Sequence, residues 1–170
     1  SGNGRYVAFG SAASNLVAGV SDDNKIGDTF LFDRVTQTTT LISHAGNAPT
    51  IAASGSSNPV AISDDGNWVL FDSSATDVMA GVVDNNLGRD LFLYDRSSGT
   101  RSLITHAAAS ATTTAGSASE AIALSADGRW VLYESFANNL VAGATDVNGS
   151  IDVFLFDRTT GASTLVSRAL

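Results

Sequence analysis

A period of 62 residues governs this 170-residue chain. Ser1-Gly2-Asn3-Gly4-Arg5-Tyr6-Val7-Ala8-Phe9 returns as Ser63-Asp64-Asp65-Gly66-Asn67-Trp68-Val69-Leu70-Phe71 and again as Ser125-Ala126-Asp127-Gly128-Arg129-Trp130-Val131-Leu132-Tyr133. A second block keeps the register: Asp28-Thr29-Phe30-Leu31-Phe32-Asp33-Arg34, Asp90-Leu91-Phe92-Leu93-Tyr94-Asp95-Arg96 and Asp152-Val153-Phe154-Leu155-Phe156-Asp157-Arg158. A third holds Leu41-Ile42-Ser43, Leu103-Ile104-Thr105 and Leu165-Val166-Ser167. Three blocks in fixed register make this a repeat array, in which each unit is one supersecondary module that buries its apolar faces against its neighbours.

Each repeat reads as short strands. The runs at 6–9, 30–32 and 41–42 are aromatic, aliphatic or β-branched and are bounded by Gly, Asp, Asn, Ser and Thr. A further strand at 59–62, with its copy at 121–124, leads by a tight turn into the next repeat. Asn3-Gly4, Asp65-Gly66 and Asp127-Gly128 supply the positive-φ turn residues. Outside the short Asn15-Leu16-Val17-Ala18-Gly19 tuck and its copies, apolar residues do not recur at helical spacing. Trp68-Val69-Leu70-Phe71 does not alternate with polar residues, so both faces of its sheet must be covered. Four antiparallel strands with both faces covered by neighbours describe an all-β chain of β-propeller blades. The alternative, a stacked β-repeat array, normally uses shorter repeats.

The segment 125–161 carries Ser-x-Asp-Gly-Arg-Trp-Val-Leu-Tyr, then Asn-Leu-Val-x-Gly, then Asp-x-Asn-Gly-x-x-Asp-Val-Phe-Leu-Phe-Asp-Arg-x-x-Gly. This combination resembles the TolB-like, WD-repeat-like propeller repeats of bacterial cell-envelope and secreted proteins, and the resemblance extends over all three copies. It implies a propeller serving as a scaffold for protein or ligand contacts, in an extracellular or periplasmic location. Such blades also occur beside peptidase, lyase or adhesion modules.

The copies span 1–62, 63–124 and 125–170, with the first lacking its inner strand and the third truncated, so the chain reads as one incomplete propeller. Closing a ring takes about four to eight blades. The expected partners are therefore further blades, from a longer chain or from another copy.

Seventeen Asp and Glu against nine Lys and Arg give a net charge of −8. Nine of those acids are three Asp positions repeated three times, at 22, 84 and 146, at 28, 90 and 152, and at 33, 95 and 157, so the acidity belongs to the repeat. Nucleic-acid binding, which needs surplus Lys and Arg, is not expected. The absence of cysteine rules out disulfides and Cys-ligated metal. Apolar runs of a few residues rule out a bilayer-spanning helix.

Two of the Asp positions flank a loop of pattern Asp-x-Asn-x-x-x-Asp: Asp22, Asn24 and Asp28; Asp84, Asn86 and Asp90; Asp146, Asn148 and Asp152. In one reading these oxygens, with backbone carbonyls, form a Ca²⁺ site, the third copy with Gly149 after Asn148 coming closest to calcium-loop chemistry. In the other they cap their own turns, with Asp28, Asp90 and Asp152 paired to a strand Arg or to backbone amides. Arg34, Arg96 and Arg158 read as ties from a strand end to a neighbouring turn, or else as a ring of anion-binding groups. His44 and His106 open Ala-, Ser-, Thr- and Gly-rich stretches at 44–57 and 106–119, expected to be flexible connections with solvated histidines. Glu120 and Glu134 are acids outside the repeat, and catalysis by a carboxylate pair would require them to meet. Ser11, Ser73 and Ser135 lack a nucleophile-elbow context. Polar groups present three times over are more simply structural than catalytic. The sequence therefore points to a non-enzymatic scaffold for protein or glycan contacts. The alternatives are the propeller portion of a larger hydrolase or lyase, and a structural subunit of a larger assembly or filament.

Overall fold

The computed structural model describes residues 1–144 and 148–167. Every regular element in them is a strand: β1 (Tyr6–Ser11), β2 (Asp28–Asp33), β3 (Thr38–Leu41), β4 (His44–Ala45), β5 (Ala48–Ala52), β6 (Ser57–Ile62), β7 (Trp68–Ser73), β8 (Asp90–Asp95), β9 (Thr100–Leu103), β10 (His106–Ala107), β11 (Ser110–Thr114), β12 (Ser119–Leu124), β13 (Trp130–Ser135), β14 (Asp152–Asp157) and β15 (Ala162–Leu165). They form three antiparallel blades of orders β1-β2-β3, β6-β7-β8-β9 and β12-β13-β14-β15, joined by the hairpins β4-β5 and β10-β11. The chain is thus a run of propeller blades, the first three-stranded and the others four-stranded. No helix among the described residues is long and apolar enough to cross a membrane.

Register repeats with the sequence. Tyr6 faces Asp33, Trp68 faces Asp95, and Trp130 faces Asp157 across the two central strands of each blade. The turn entering each central strand is closed by the repeated serine: Ser1, Ser63 and Ser125 accept the amides of Tyr6, Trp68 and Trp130 at 2.8–3.0 Å. Val69 and Phe71 of the second blade pack toward the first, against Tyr6, Leu31 and Ile42. Leu70, Leu91 and Leu93 of the same blade pack toward the third, against Val131, Tyr133 and Phe154. One strand feeds two cores, so its apolar residues run without alternation.

The stretches at 44–57 and 106–119 are not flexible connections. They hold hairpins that clip one blade to the next. Their Ala- and Thr-rich strands lack the apolar pattern of a core strand, yet their backbones are bonded to neighbouring segments on both sides. Ser21 and Thr50, and Val83 and Thr112, are bonded in parallel fashion on one side. Gly46 donates to the carbonyl of Asp77, and Ala108 donates to that of Asn139, on the other. Nor are the histidines solvated loop groups: both are half-buried on strands, and the His106 ring stands edge-on to Phe156 at 6.1 Å, with Nε2 3.0 Å from the Gly161 carbonyl.

Successive blades meet through a repeated latch. The amide of Gly2 donates to the carbonyl of Asp64, and that of Asp64 donates to the carbonyl of Ala126. Gly66 sits against the Tyr6 ring, and Gly128 against the Trp68 ring, so closely that a Cβ on either glycine would fall 2.2 Å from a ring carbon. Arg96 lies over Tyr6 with its guanidinium carbon 4.3 Å from the ring centre, and Arg158 lies over Trp68 at 3.8 Å. These arginines also donate to the carbonyls of Gly66 and Gly128, and Arg34 to that of Gly4, at 2.8–3.0 Å. The strand-end arginines are ties to a turn, and Arg96 and Arg158 are cation–π clamps between blades as well.

Candidate functional site

The Asp/Asn loops are knitted to the sheet by residues on which the sequence reading placed no role. Ser43 donates to Asp28, Thr105 to Asp90 and Ser167 to Asp152, at 2.7–2.9 Å, while the same three hydroxyls accept the amides of Thr29, Leu91 and Val153. The partner of each Asp is therefore the hydroxyl that ends the third sequence block, not an arginine. Asn24 and Asn86 donate to the carbonyls of Ala53 and Ala115 at 2.6 and 2.9 Å, fastening the loop to the hairpin exit. Asp22 accepts the amide of Lys25, and Asp84 accepts those of Asn86 and Leu87. The residue after each Asn has positive φ: Lys25 at 58°, Leu87 at 53° and Gly149 at 60°. Glycine in the third copy answers that backbone requirement. The Asn148 side chain accepts the amide of Ser150 at 2.7 Å, and Asp146 lies outside the described residues. Among the described residues no three acidic or histidine side chains gather closely enough to share a metal ion.

Burial raises the carboxyl of Asp28 to about 6 and that of Asp90 to about 7, against the opposing hydroxyl bonds. Asp33 and Asp157 behave in the opposite way. Forked pairing with Arg5 and Arg129, at 2.7–3.0 Å, holds both well below the ordinary carboxylate range. In the second blade Asn67 replaces that arginine, and Asp95 is satisfied by Ser97 and Ser98 instead.

Residues outside the repeat gather elsewhere. A groove of about 410 Å³ opens between the ends of the second and third blades, lined by Asp72, Arg89, Glu120, Glu134, Phe136 and Ile151 around the paired hydroxyls of Ser119 and Ser135. It lies where β7 and β13 end and where β12 and β14 begin. Glu120 and Glu134 are direct register partners on β12 and β13 and hence share one face. Neither side chain has a hydrogen-bonding or ionic partner among the described residues. Like charges directly opposite each other weaken a strand pair. The corresponding pair in the second blade is Asn58 and Asp72, joined at 3.0 Å, and the first blade has Gly10 at the Glu134 position. Arg89 is ion-paired to Asp72, leaving the two glutamates as uncompensated charge. Phe136 and Ile151 add exposed apolar walls, 55% and 47% accessible. The two glutamates that the sequence could not join are brought together here, whereas neither histidine lines the groove.

No protein-family model and no curated protein matches this chain. Solved structures do. It aligns with a protein assigned as TolB from Agrobacterium tumefaciens at 17% identity and a TM-score of 0.52, over 97% of this chain and 46% of the other. TolB from Acinetobacter baumannii aligns at 19% identity and a TM-score of 0.45, over 88% of this chain and 28% of that one. The tricorn protease aligns at 15% identity and a TM-score of 0.49, over 91% and 13%. The chain therefore spans less than half the length of each. At 17% identity the likeness to the Agrobacterium tumefaciens structure establishes a shared TolB-like propeller fold.

Proposed function

We propose that the chain is a non-catalytic propeller scaffold of the bacterial extracytoplasmic space, and that it holds a protein partner through the groove between its second and third blades. The observation that carries this reading is the Glu120–Glu134 pair, unpartnered among the described residues, on one face beside exposed Phe136 and Ile151. A lysine or arginine side chain suits such a place: its alkyl stem packs on the apolar walls while its charged head sits against both carboxylates. The extracytoplasmic placement rests on the sequence resemblance alone.

Titration with short Lys-containing peptides and their Glu-containing counterparts tests the reading. Binding of the basic series alone, weakening with salt and lost in Glu120→Gln/Glu134→Gln at a melting temperature no lower than the parent's, is the expected result. Binding of neutral oligosaccharides but of neither peptide would replace the protein partner with a glycan. Turnover of a glycoside or peptide that disappears in the same variant would replace the scaffold with an enzyme.

A further inference from the structure

The junction of the first and second blades departs from the repeat at a cavity. About 390 Å³ opens between the β4-β5 hairpin, the loop after β7 and the start of β9, lined by His44, Asn47, Pro49, Met79, Thr100 and Arg101 among others. At the next junction the equivalent histidine is engaged: His106 Nε2 lies 3.0 Å from the Gly161 carbonyl. His44 Nε2 has no hydrogen-bond partner among the described residues, and Nδ1 reaches only the Ala45 carbonyl, at 3.4 Å. The residue types change as well. Asn47, Thr100 and Arg101 stand where the next junction has Ala109, Ala162 and Ser163.

Arg101 brings a charge that no acid neutralises. It is half-buried, its terminal nitrogens donate to the carbonyls of Ile42 and Gly46 at 3.2 and 2.8 Å, and its buried Nε has no hydrogen-bond partner. Each terminal nitrogen carries two N–H groups, so each keeps one for a ligand. Among the described residues Arg101 has no ionic partner, and no acid lines the cavity. Burial works against an unpaired charge. Burial, and after it the Arg101 charge, also holds the His44 imidazole below its ordinary value. Fastening the hairpin does not require an arginine. At the next junction Ser163 takes that place, and the hairpin is held by the Ala108 amide on the Asn139 carbonyl and by His106.

We propose that this cavity binds an organic carboxylate. The Arg101 guanidinium and His44 Nε2 take the carboxylate oxygens, Asn47 and Thr100 add polar contacts at the mouth, and the hydrocarbon part lies on Pro49 and Met79. A guanidinium offers planar, paired donors that match a carboxylate. One arginine beside a neutral imidazole balances one negative charge, which suits a carboxylate better than a phosphate dianion. The space matches the small-molecule pockets of other proteins, about 300–1,000 Å³, and shares their make-up of apolar walls with a few polar groups.

Nuclear magnetic resonance of the histidine rings tests this, because the chain has two histidines and His106 serves as the internal control. Sodium hexanoate, inorganic phosphate and hexylammonium chloride are titrated in at matched ionic strength. The expected result is a saturable shift of the His44 ring with hexanoate, an unmoved His106, and a His44 pKa that rises at saturation as the bound anion favours the imidazolium. Arg101→Ser, which installs the residue of the next junction, should abolish the shift while keeping the β-sheet circular dichroism. No saturable shift at His44, equal shifts at both histidines, or an equal effect of hexylammonium would overturn the proposal. Tighter binding of phosphate than of hexanoate would overturn the carboxylate assignment. If Arg101→Ser loses its sheet signal, Arg101→Lys decides: it keeps the charge, loses the paired donors, and should bind hexanoate about tenfold more weakly. Unchanged affinity in that variant would overturn the site.

Discussion

Replacing Gly128 with alanine measures what one blade-to-blade latch contributes. Gly128 has φ +68°, and a Cβ there would lie 2.2 Å from Cδ1 and 2.4 Å from Cγ of Trp68. Gly99 has almost the same backbone, φ +72°, with nothing within 4 Å of the added carbon. Alanine at Gly99 incurs only the left-handed backbone cost, about 1–2 kcal/mol, offset in part by lower entropy of the unfolded chain, about 0.4–1 kcal/mol. Alanine at Gly128 incurs the same cost and must also displace a ring on which Arg158 is stacked at 3.8 Å. Overpacking of this kind costs about 1–3 kcal/mol more. Urea unfolding at one fixed protein concentration should therefore place Gly128→Ala about 1–3 kcal/mol below Gly99→Ala. In a Trp68→Ala background the gap should close, because the ring is gone. Equal losses at the two glycines would mean that Trp68 is free to move aside, and the latch would not be a rigid contact.

Three further expectations follow from the loops. Asp28 and Asp90 bind protons more tightly folded than unfolded, so the stability they contribute is complete below their unfolded value near 3.8 and is lost as pH rises through about 6 and about 7. Asp90→Asn should flatten that fall by a few kcal/mol between pH 4 and pH 8; an unchanged pH–stability curve would disprove the burial argument. Leu87 is 76% accessible at φ 53°, so Leu87→Gly should raise stability by about 0.5–1 kcal/mol despite the added chain entropy, and a lower denaturation midpoint would refute it. Millimolar Ca²⁺ and a chelator should give superimposable melting curves, since one oxygen each of Asp22, Asn24, Asp28, Asp84, Asn86 and Asp90 already accepts a turn amide or a hydroxyl; a higher melting temperature with Ca²⁺ would restore the metal reading, as any ligand of the folded state alone must stabilise it.

How far the sequence could be read follows from the range of the interactions. Strands such as Trp68–Ser73 and turns such as Asp65-Gly66 are local features, visible in residue type and repeated three times. The hairpin strand Ala48–Ala52 is hidden because Ile51 is its one large apolar residue, and what holds the hairpin is backbone bonding of Thr50 and Ala52 to Ser21 and of Gly46 to Asp77 rather than an apolar pattern. The Asp28–Ser43 bond spans 15 residues and was foreshadowed only by Ser, Thr and Ser closing the third sequence block. The clamp of Arg158 on Trp68 crosses between repeats and leaves no signal within either one. The Glu120–Glu134 meeting needed the register of β12 on β13, with its irregularity between Ala121 and Ala123, before the two acids could be placed on one face.

That meeting also separates the polar residues that build blades from those that use them. Asp33, Asp28, Ser43 and Arg96, with their copies, are engaged with turn amides, hydroxyls, arginines or rings, and repetition is explained by those duties. Glu120 and Glu134 have no such duty, and their counterparts Asn58 and Asp72 show what the blade does when left to structure alone: it forms a hydrogen bond of 3.0 Å. Transplanting that solution as Glu120→Asn/Glu134→Asp replaces a like-charged cross-strand pair with a bonded one. Opposed like charges cost a strand pair about 0.2–1 kcal/mol, so the double variant should melt at or above the parent temperature. It should also lose affinity for a basic peptide, since the partner's cation would then meet one carboxylate already holding an amide. Stability and binding moving in opposite directions is what a site kept for function at a small structural cost requires. A variant that melts well below the parent would instead make the glutamates part of the framework and take the groove out of consideration as a binding site.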